Sequence, residues 1–327
     1  MTPYNEIKDV HLEIATLCNA VCPLCPRNVF GYSKNEGYPE TYMTLAQAKK
    51  IFSIDFLQQL DRIIINGNYG DIVMNPEAIS IIEYFRKNNS NIQIDVCTNG
   101  SARDRDFWRS LAKLKVKVIF SIDGLEDTNI IYRQNTRFDV IMKNVKEFIT
   151  AGGIACWKMV IFKHNRHQIE EAKKLSKEMK FFAFTTQDEG RDSGPVFDKN
   201  GKFVRVIGDY TGPTSLKEIY NNDRPLDEKV DKVSCSALSG KRIYIGANGD
   251  VSPCCWTGFY PKTYRPHNNI ICDINEQLSK KMNKYNAIDH PLHECIEWFD
   301  NFNSKWNNKQ DRIKACDYFC GSKQANG

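Results

Sequence analysis

Residues 10–26 read Val10-His11-Leu12-Glu13-Ile14-Ala15-Thr16-Leu17-Cys18-Asn19-Ala20-Val21-Cys22-Pro23-Leu24-Cys25-Pro26. Val10, Leu12 and Ile14 alternate with His11 and Glu13, the period of a strand with one face buried. The strand runs directly into a loop that carries Cys18, Cys22 and Cys25. Three thiolates can hold three irons of a cubane and leave the fourth iron open to a substrate or cofactor, which a closed four-cysteine site cannot do. The same spacing also suits a structural zinc site that borrows a distant fourth ligand.

Working outward, strand-like and helix-like runs alternate up to about residue 185. Strands are expected over 63–65, 92–96, 116–122, 158–162 and 181–185. Helices are expected from an N-cap at Thr44 through residue 60, and over 76–86, 107–114, 138–150 and 167–179. Gly152-Gly153 ends the fourth of these. Six β/α repeats without an antiparallel interruption predict an α/β fold, a parallel sheet with helices outside. Right-handed crossovers would curl it into a partial (β/α)6 TIM-like barrel. The cysteine loop then lies at the carboxyl end of the first strand, where such folds place their chemistry. From Gln187 to about Lys232 glycines and prolines break the pattern. Next, 242–245, the turn Ala247-Asn248-Gly249-Asp250 and Val251 read as a hairpin. Helical stretches follow near 275–285 and 291–306. The chain is thus expected to divide into a barrel, 1–205, and a small cysteine-rich α+β domain, 206–327.

Of the 327 residues, 41% are hydrophobic and 26% charged, as in an ordinary globular protein able to bury a core. Lys and Arg exceed Asp and Glu by 45 − 40 = 5 without a basic run, so charge gives no support to a nucleic-acid partner. Residues 1–9 lack the apolar core of a signal peptide and no stretch is long enough to span a membrane, so a cytoplasmic location is expected. Twelve cysteines at short spacings then read as metal or cluster ligands, not disulfides.

The C-x3-C-x2-C loop behind the first strand of a β/α series resembles the signature of the radical S-adenosylmethionine superfamily, and the resemblance covers nearly the whole chain. It implies a [4Fe–4S] cluster on Cys18, Cys22 and Cys25, with S-adenosylmethionine chelating the open iron. It implies reductive cleavage of that molecule to a 5′-deoxyadenosyl radical, which takes a hydrogen atom from the substrate. Leu24 departs from the family, which usually has an aromatic residue there, near the adenine. Asn66-Gly67-Asn68-Tyr69-Gly70-Asp71 follows the second strand, and glycines there let the backbone approach a ligand closely. This stretch resembles the family's Gly-Gly-Glu-like motif for the methionine amino group, with Gly70-Asp71 as counterpart and Asp in place of Glu. Asn99 and Asp123 place small polar residues at the rim, and Ser121 resembles the family's ribose contact. Arg133 falls where related enzymes carry an arginine that can clamp a carboxylate, its other reading being a surface ion pair. Asn165 resembles a family asparagine near the nucleoside, while His164 reads as an ordinary surface histidine.

Cys235, thirteen residues, Gly249, four residues and Cys254 resemble the opening of SPASM and twitch extensions. With Cys316 and Cys320, the resemblance implies a second, auxiliary [4Fe–4S] cluster of the one-cluster twitch type. Zinc is the alternative for these four thiols. Cys255, Cys272 and Cys295 are either substitute ligands or small buried residues, and Cys97 and Cys156 are expected in the core. The preferred reaction is oxidation of a small molecule with the auxiliary cluster as electron acceptor, similar to twitch-containing dehydrogenases acting on an aminocyclitol alcohol. The rivals are a peptide- or protein-modifying enzyme of SPASM type and a non-catalytic iron–sulfur or zinc module. An electron donor such as flavodoxin or ferredoxin is the implied partner. Asp188, Glu189, Arg191 and Asp192, after the last strand, offer a proton acceptor or form a plain solvated loop.

Overall fold

The computed structural model describes residues 2–34, 37–188, 193–208, 210–221, 232–258, 286–297, 316 and 320–322. Six strands follow one another across a sheet: β1 (Asp9–Leu12), β2 (Arg62–Ile65), β3 (Gln93–Thr98), β4 (Lys117–Ser121), β5 (Ile154–Ile161) and β6 (Ala183–Asp188). Every neighbouring pair among them is parallel. Parallel neighbours need crossovers, and helices supply them. These are α1 (Leu45–Ile51) and α2 (Ile54–Gln59), α3 (Ala78–Asn88), α4 (Arg105–Lys113), α5 (Glu126–Tyr132) and α6 (Phe138–Thr150), and α7 (Ile169–Glu178).

Alternate strand residues face these helices. Val10, Leu12, Ile63, Ile65, Val96, Phe120 and Trp157 join Phe52, Phe56, Phe85, Trp108 and Phe148 in one buried core. Each such side chain contributes about 1.5–3 kcal/mol by leaving water. On the sheet's other, concave face polar residues meet at the start of the strands. Asp95, fully buried, pairs with Arg62 and with Lys117 at 2.9 Å, and Asp9 pairs with Arg242 at 2.6 Å. These five side chains come from five strands, so one polar band crosses the base of the barrel.

Three features differ from the sequence reading. The helix expected from Thr44 through 60 is two helices. Thr44 caps α1 through a capping box with Gln47, but Ser53 accepts from Phe56 N at 3.2 Å and starts α2 afresh. A helix not anticipated, α5, precedes α6. The stretch read as loop after residue 187 holds an antiparallel pair, Gly194–Phe197 with Phe203–Ile207, and a short helix, Leu216–Asn221.

The expected hairpin is present as β7 (Arg242–Ile245) and β8 (Val251–Ser252), and it extends the main sheet. β7 lies parallel to β1 with His11 opposite Tyr244, giving the order β8-β7-β1-β2-β3-β4-β5-β6. The sheet therefore crosses the division expected at 205/206. The helix expected at 275–285 lies outside the described residues, and within 291–306 the described part is Leu292–Glu297.

Candidate active site

At the carboxyl ends of β1 to β4 the chain encloses a cavity of about 230 Å³. Its wall contains Cys18, Cys22 and Cys25 together with residues 66–71, Asn99, Ser121 and Arg133. Two side chains passed over in the sequence shape the cysteine loop. Arg27 donates from Nη1 to the carbonyls of Cys18 (3.2 Å) and Ala20 (3.4 Å), and Asn28 donates to the carbonyl of Cys22 (2.9 Å). Leu24 is buried with Ala20, Phe30 and Tyr132 beside the loop.

Burial pushes the Cys18 thiol well up, and the Asp71 carboxylate and the Cys22 and Cys25 sulfurs add to the effect. Burial pushes Cys22 up to about 12, with the Arg133 guanidinium opposing. Left alone, these two sulfurs hold their protons. Buried soft donors close enough to raise one another's pKa ionise when a metal centre takes them. The backbone N–H of Ala20 (3.4 Å) and the Asn99 amide (3.6 Å) point at the Cys18 sulfur, as donors do around iron–sulfur thiolates. The three thiols line one cavity, and three such donors are the set that a cubane with one open iron would need. Among the described residues, no three His, Cys, Asp or Glu side chains converge on a single-ion site.

The 66–71 loop is held by Glu13, which the sequence reading left without a role. Its buried carboxylate accepts from Tyr69 N (2.8 Å) and Gly70 N (2.9 Å) through Oε1 and from the Tyr244 hydroxyl (2.6 Å) through Oε2. Burial pushes this carboxyl up, against the pull of those donors. Gly70 has to be glycine, because a Cβ there would overlap the backbone carbonyl of Ala15. Asp71 lines the cavity, yet its oxygens are well occupied. Oδ1 accepts from Thr98 Oγ1 (2.7 Å) and Val73 N (3.1 Å), and Oδ2 accepts from Asn99 N and Nδ2, both at 2.7 Å. Asn99 Nδ2 also lies 2.9 Å from Asn19 Oδ1 on the cysteine loop. Asp71 thus fixes Asn99, and Asn99 meets the cysteine loop.

Arg133 is no surface ion pair. Its Nε donates to the fully buried Asp123 Oδ2 at 2.6 Å, while its side chain remains part of the cavity wall. Asp123 and Asn165 stand behind that wall. Asp123 Oδ1 accepts from Val160 N (2.7 Å). The Asn165 amide donates to the carbonyls of Asp123 (3.0 Å) and Val160 (2.9 Å) and accepts from Phe162 N (2.7 Å). Asn165 is completely buried, and its polar atoms are engaged with the backbone. Cys97, expected in the core, instead lines the cavity, and burial pushes its thiol up to about 11. Cys156 is buried as expected. His164 stacks on Phe162 with a ring separation of 5.2 Å, its buried Nε2 without a hydrogen-bond partner among the described residues. The side chain of Asp188 and all of residues 189–192 lie outside the described residues.

Cys235, Cys254 and Cys320 lie near enough to one another for Cys235 to shift both of the other thiols. Lys232–Val233 pairs with Gly321–Ser322, and Ser234 N donates to the Cys320 carbonyl at 2.8 Å, which sets Cys235 beside Cys320. Burial pushes the Cys254 and Cys320 thiols up, and Cys235 adds to both shifts. Cys316 is buried, and Cys295 is fully buried in the main core. Burial pushes the Cys255 thiol up to about 12, and its carbonyl accepts from Asn68 Nδ2 at 2.8 Å. Cys272 lies outside the described residues.

A sequence model of the Radical SAM superfamily matches residues 12–176. An uncharacterized protein of Methanocaldococcus jannaschii, MJ0907, is 26% identical over 264 residues, 76% of this chain and 85% of that protein. The fold resembles SuiB of Streptococcus suis bound to S-adenosylmethionine, with a TM-score of 0.60 at 15% identity over 90% of this chain. The chain spans 65% of the length of SuiB. It also resembles anSMEcpe with bound AdoMet, with a TM-score of 0.55 at 14% identity, over 94% of this chain and 80% of that one. Among the described residues, no helix is long and apolar enough to cross a membrane. With the family's match extending from β1 to α7, around the whole cavity, the chain belongs to the radical SAM superfamily and is an enzyme of S-adenosylmethionine-dependent radical chemistry.

Proposed function

We propose that Cys18, Cys22 and Cys25 hold a [4Fe–4S] cluster and that S-adenosylmethionine binds beside it in the same cavity. The observation that carries this reading is the shared wall: the three thiols face residues 66–71, Asn99, Ser121 and Arg133 across one cavity. Held by those three cysteines and reduced by one electron, such a cluster would supply the electron for reductive cleavage of the S–C5′ bond to methionine and a 5′-deoxyadenosyl radical, the species that would take a hydrogen atom from the substrate. The chain's own part is position and dryness. Gly67 and Gly70 keep the loop backbone open, and with Asn68 and Tyr69 they receive the amino group, while Asp71 holds Asn99 in place. Arg133 offers the carboxylate the N–H groups not held by Asp123, and Ser121 meets the ribose. Asp123 and Asn165 brace the wall from behind.

The portion 206–327 would carry a second [4Fe–4S] cluster on Cys235, Cys254, Cys316 and Cys320. The mutual influence of Cys235, Cys254 and Cys320 supports this, and the Asn68–Cys255 hydrogen bond ties that portion to the loop beside the first cluster. A second cluster so placed favours oxidation of a small molecule, with that cluster as electron acceptor and a flavodoxin or ferredoxin as donor to the first. Anaerobically reconstituted protein given dithionite and S-adenosylmethionine should release 5′-deoxyadenosine, and failure to do so rejects the first reading. Two cubanes require about eight irons per chain. A content near four that is unchanged by Cys254→Ala rejects the second cluster.

A further inference from the structure

Beside the cavity, the concave face carries a cation with no ion partner among the described residues. Lys158 sits on β5 opposite Ser121 of β4 and Thr185 of β6. Its neighbours Trp157 and Met159 turn into the helix-facing core, so Lys158 belongs to the face of Ser121 and Cys97. Two strands away, its charge opposes the upward push of burial on the Cys97 thiol. Lys158 is half-buried, and among the described residues its ammonium makes no hydrogen bond or salt bridge.

The described carboxylates of that face already hold cations or donors, although Asp9 Oδ1 has no hydrogen-bond partner among the described residues. Asp9 is shared by Arg62 and Arg242, Asp95 by Arg62 and Lys117, and Glu13 by Tyr244 and the 66–71 loop. Asp71 and Asp123 are held as described above. Arg62, Lys117, Arg242 and Lys158 thus face a deficit of anions. A half-buried ammonium gains most from an opposite charge in so poorly hydrated a place. Thr185, next in the row, is exposed, so this side of the barrel is open to a small molecule.

We infer that Lys158, level with Ser121 and one strand along the concave face from it, forms an anion subsite beside the cavity and that the substrate bears a carboxylate or phosphate group there. This rests on the proposed reading of the cavity, but its test does not depend on turnover. Cys97 is a reporter thiol in the wall beside the subsite. In the reconstituted holoenzyme, its alkylation by anionic iodoacetate and by neutral iodoacetamide is followed by peptide mass mapping. The ratio of the two rates cancels any change in thiolate fraction.

The ratio should exceed that of Lys158→Met by about three- to tenfold, the order expected for one unit charge acting across a partly wet cavity. Lys158→Arg should keep it. Inorganic phosphate and acetate, added as competitors, should each lower the ratio, and the more effective of the two identifies the substrate group. Equal ratios in wild type and Lys158→Met overturn the proposal. Loss of the preference, or of all Cys97 labelling, on adding S-adenosylmethionine assigns the cation to the cofactor and overturns it as well. Release of 5′-deoxyadenosine, measured on the same sample, reports separately on the reading of the cavity.

Discussion

Replacing Glu13 by alanine removes the acceptor for three donors: the buried Tyr69 N and Tyr244 hydroxyl and the part-buried Gly70 N. Each buried donor left without a partner costs about 1–3 kcal/mol. Even at the low end, the three together with the small cavity amount to a loss of about 3–5 kcal/mol. Glu13→Gln keeps one carbonyl oxygen for the two backbone N–H groups and can donate to the Tyr244 oxygen, so its loss should be about 1–2 kcal/mol. Urea denaturation of the three proteins measures both values. The pH dependence supplies an internal control. Burial raises the folded pKa of Glu13, so the native state binds that proton more tightly than the unfolded state. Its contribution to stability is then full below the ordinary carboxylate pKa and declines as pH rises through the folded value. Glu13→Gln cannot ionise and should flatten that decline. Binding should respond too, because the loop moves: S-adenosylmethionine affinity, by equilibrium dialysis, should fall about tenfold in Glu13→Ala, equivalent to about 1.4 kcal/mol. A Glu13→Ala protein within 1 kcal/mol of wild type by the ordinary error of such extrapolations, with unchanged affinity, refutes the assignment of Glu13 as anchor of the loop.

Asp123→Ala strands the Arg133 guanidinium in a buried place, and chemical denaturation should show a loss of about 3–5 kcal/mol; a loss below 1 kcal/mol contradicts the pairing. Gly70→Ala forces a methyl into the Ala15 carbonyl, with backbone on both sides and no flexible side chain to yield. It should lower the melting temperature by several degrees, equivalent to about 1–3 kcal/mol, and an unchanged melting curve by circular dichroism rules the contact out. Ser53→Ala removes the cap that starts α2 and should cost about 1 kcal/mol in the same assay, whereas a continuous helix through Phe52 would tolerate it.

What the sequence displayed well was whatever repeats locally. The six parallel strands were readable because Val10, Ile63, Val96 and Val118 recur in short apolar runs bounded by helical periods. The wall of the cavity was readable because its residues sit just past strand ends, and a parallel sheet gathers such positions on one side. The break between α1 and α2 was hidden, since Leu45, Ala48 and Phe52 keep a helical period up to the cap at Ser53. Cys97 was assigned to the core because a lone cysteine in a strand is usually buried. Which face it occupies depends on the curl of the sheet. Asn165 was placed beside the nucleoside by its position after β5, but its amide has three backbone partners nearby and turns to them.

The least legible feature connects the two halves of the chain. Nothing local in residues 242–252 says that the hairpin will lie beside β1, more than two hundred residues upstream, because both strands present the same alternation to any parallel neighbour. Once β7 pairs with β1, Tyr244 falls opposite His11, and its hydroxyl reaches Glu13. From the other direction, Asn68 reaches the carbonyl of Cys255. The loop beside the first three cysteines is therefore held from below by a carboxylate that a residue of the C-terminal portion completes, and from the side by the cysteine stretch of that same portion. A shift of the Cys254–Cys255 segment on taking up a metal centre would be transmitted to the 66–71 loop through one side-chain amide. The two thiol groups are thus coupled through the side-chain hydrogen bonds of Asn68, Glu13 and Tyr244, which gives the C-terminal cysteines a mechanical bearing on the cavity in addition to any electronic one.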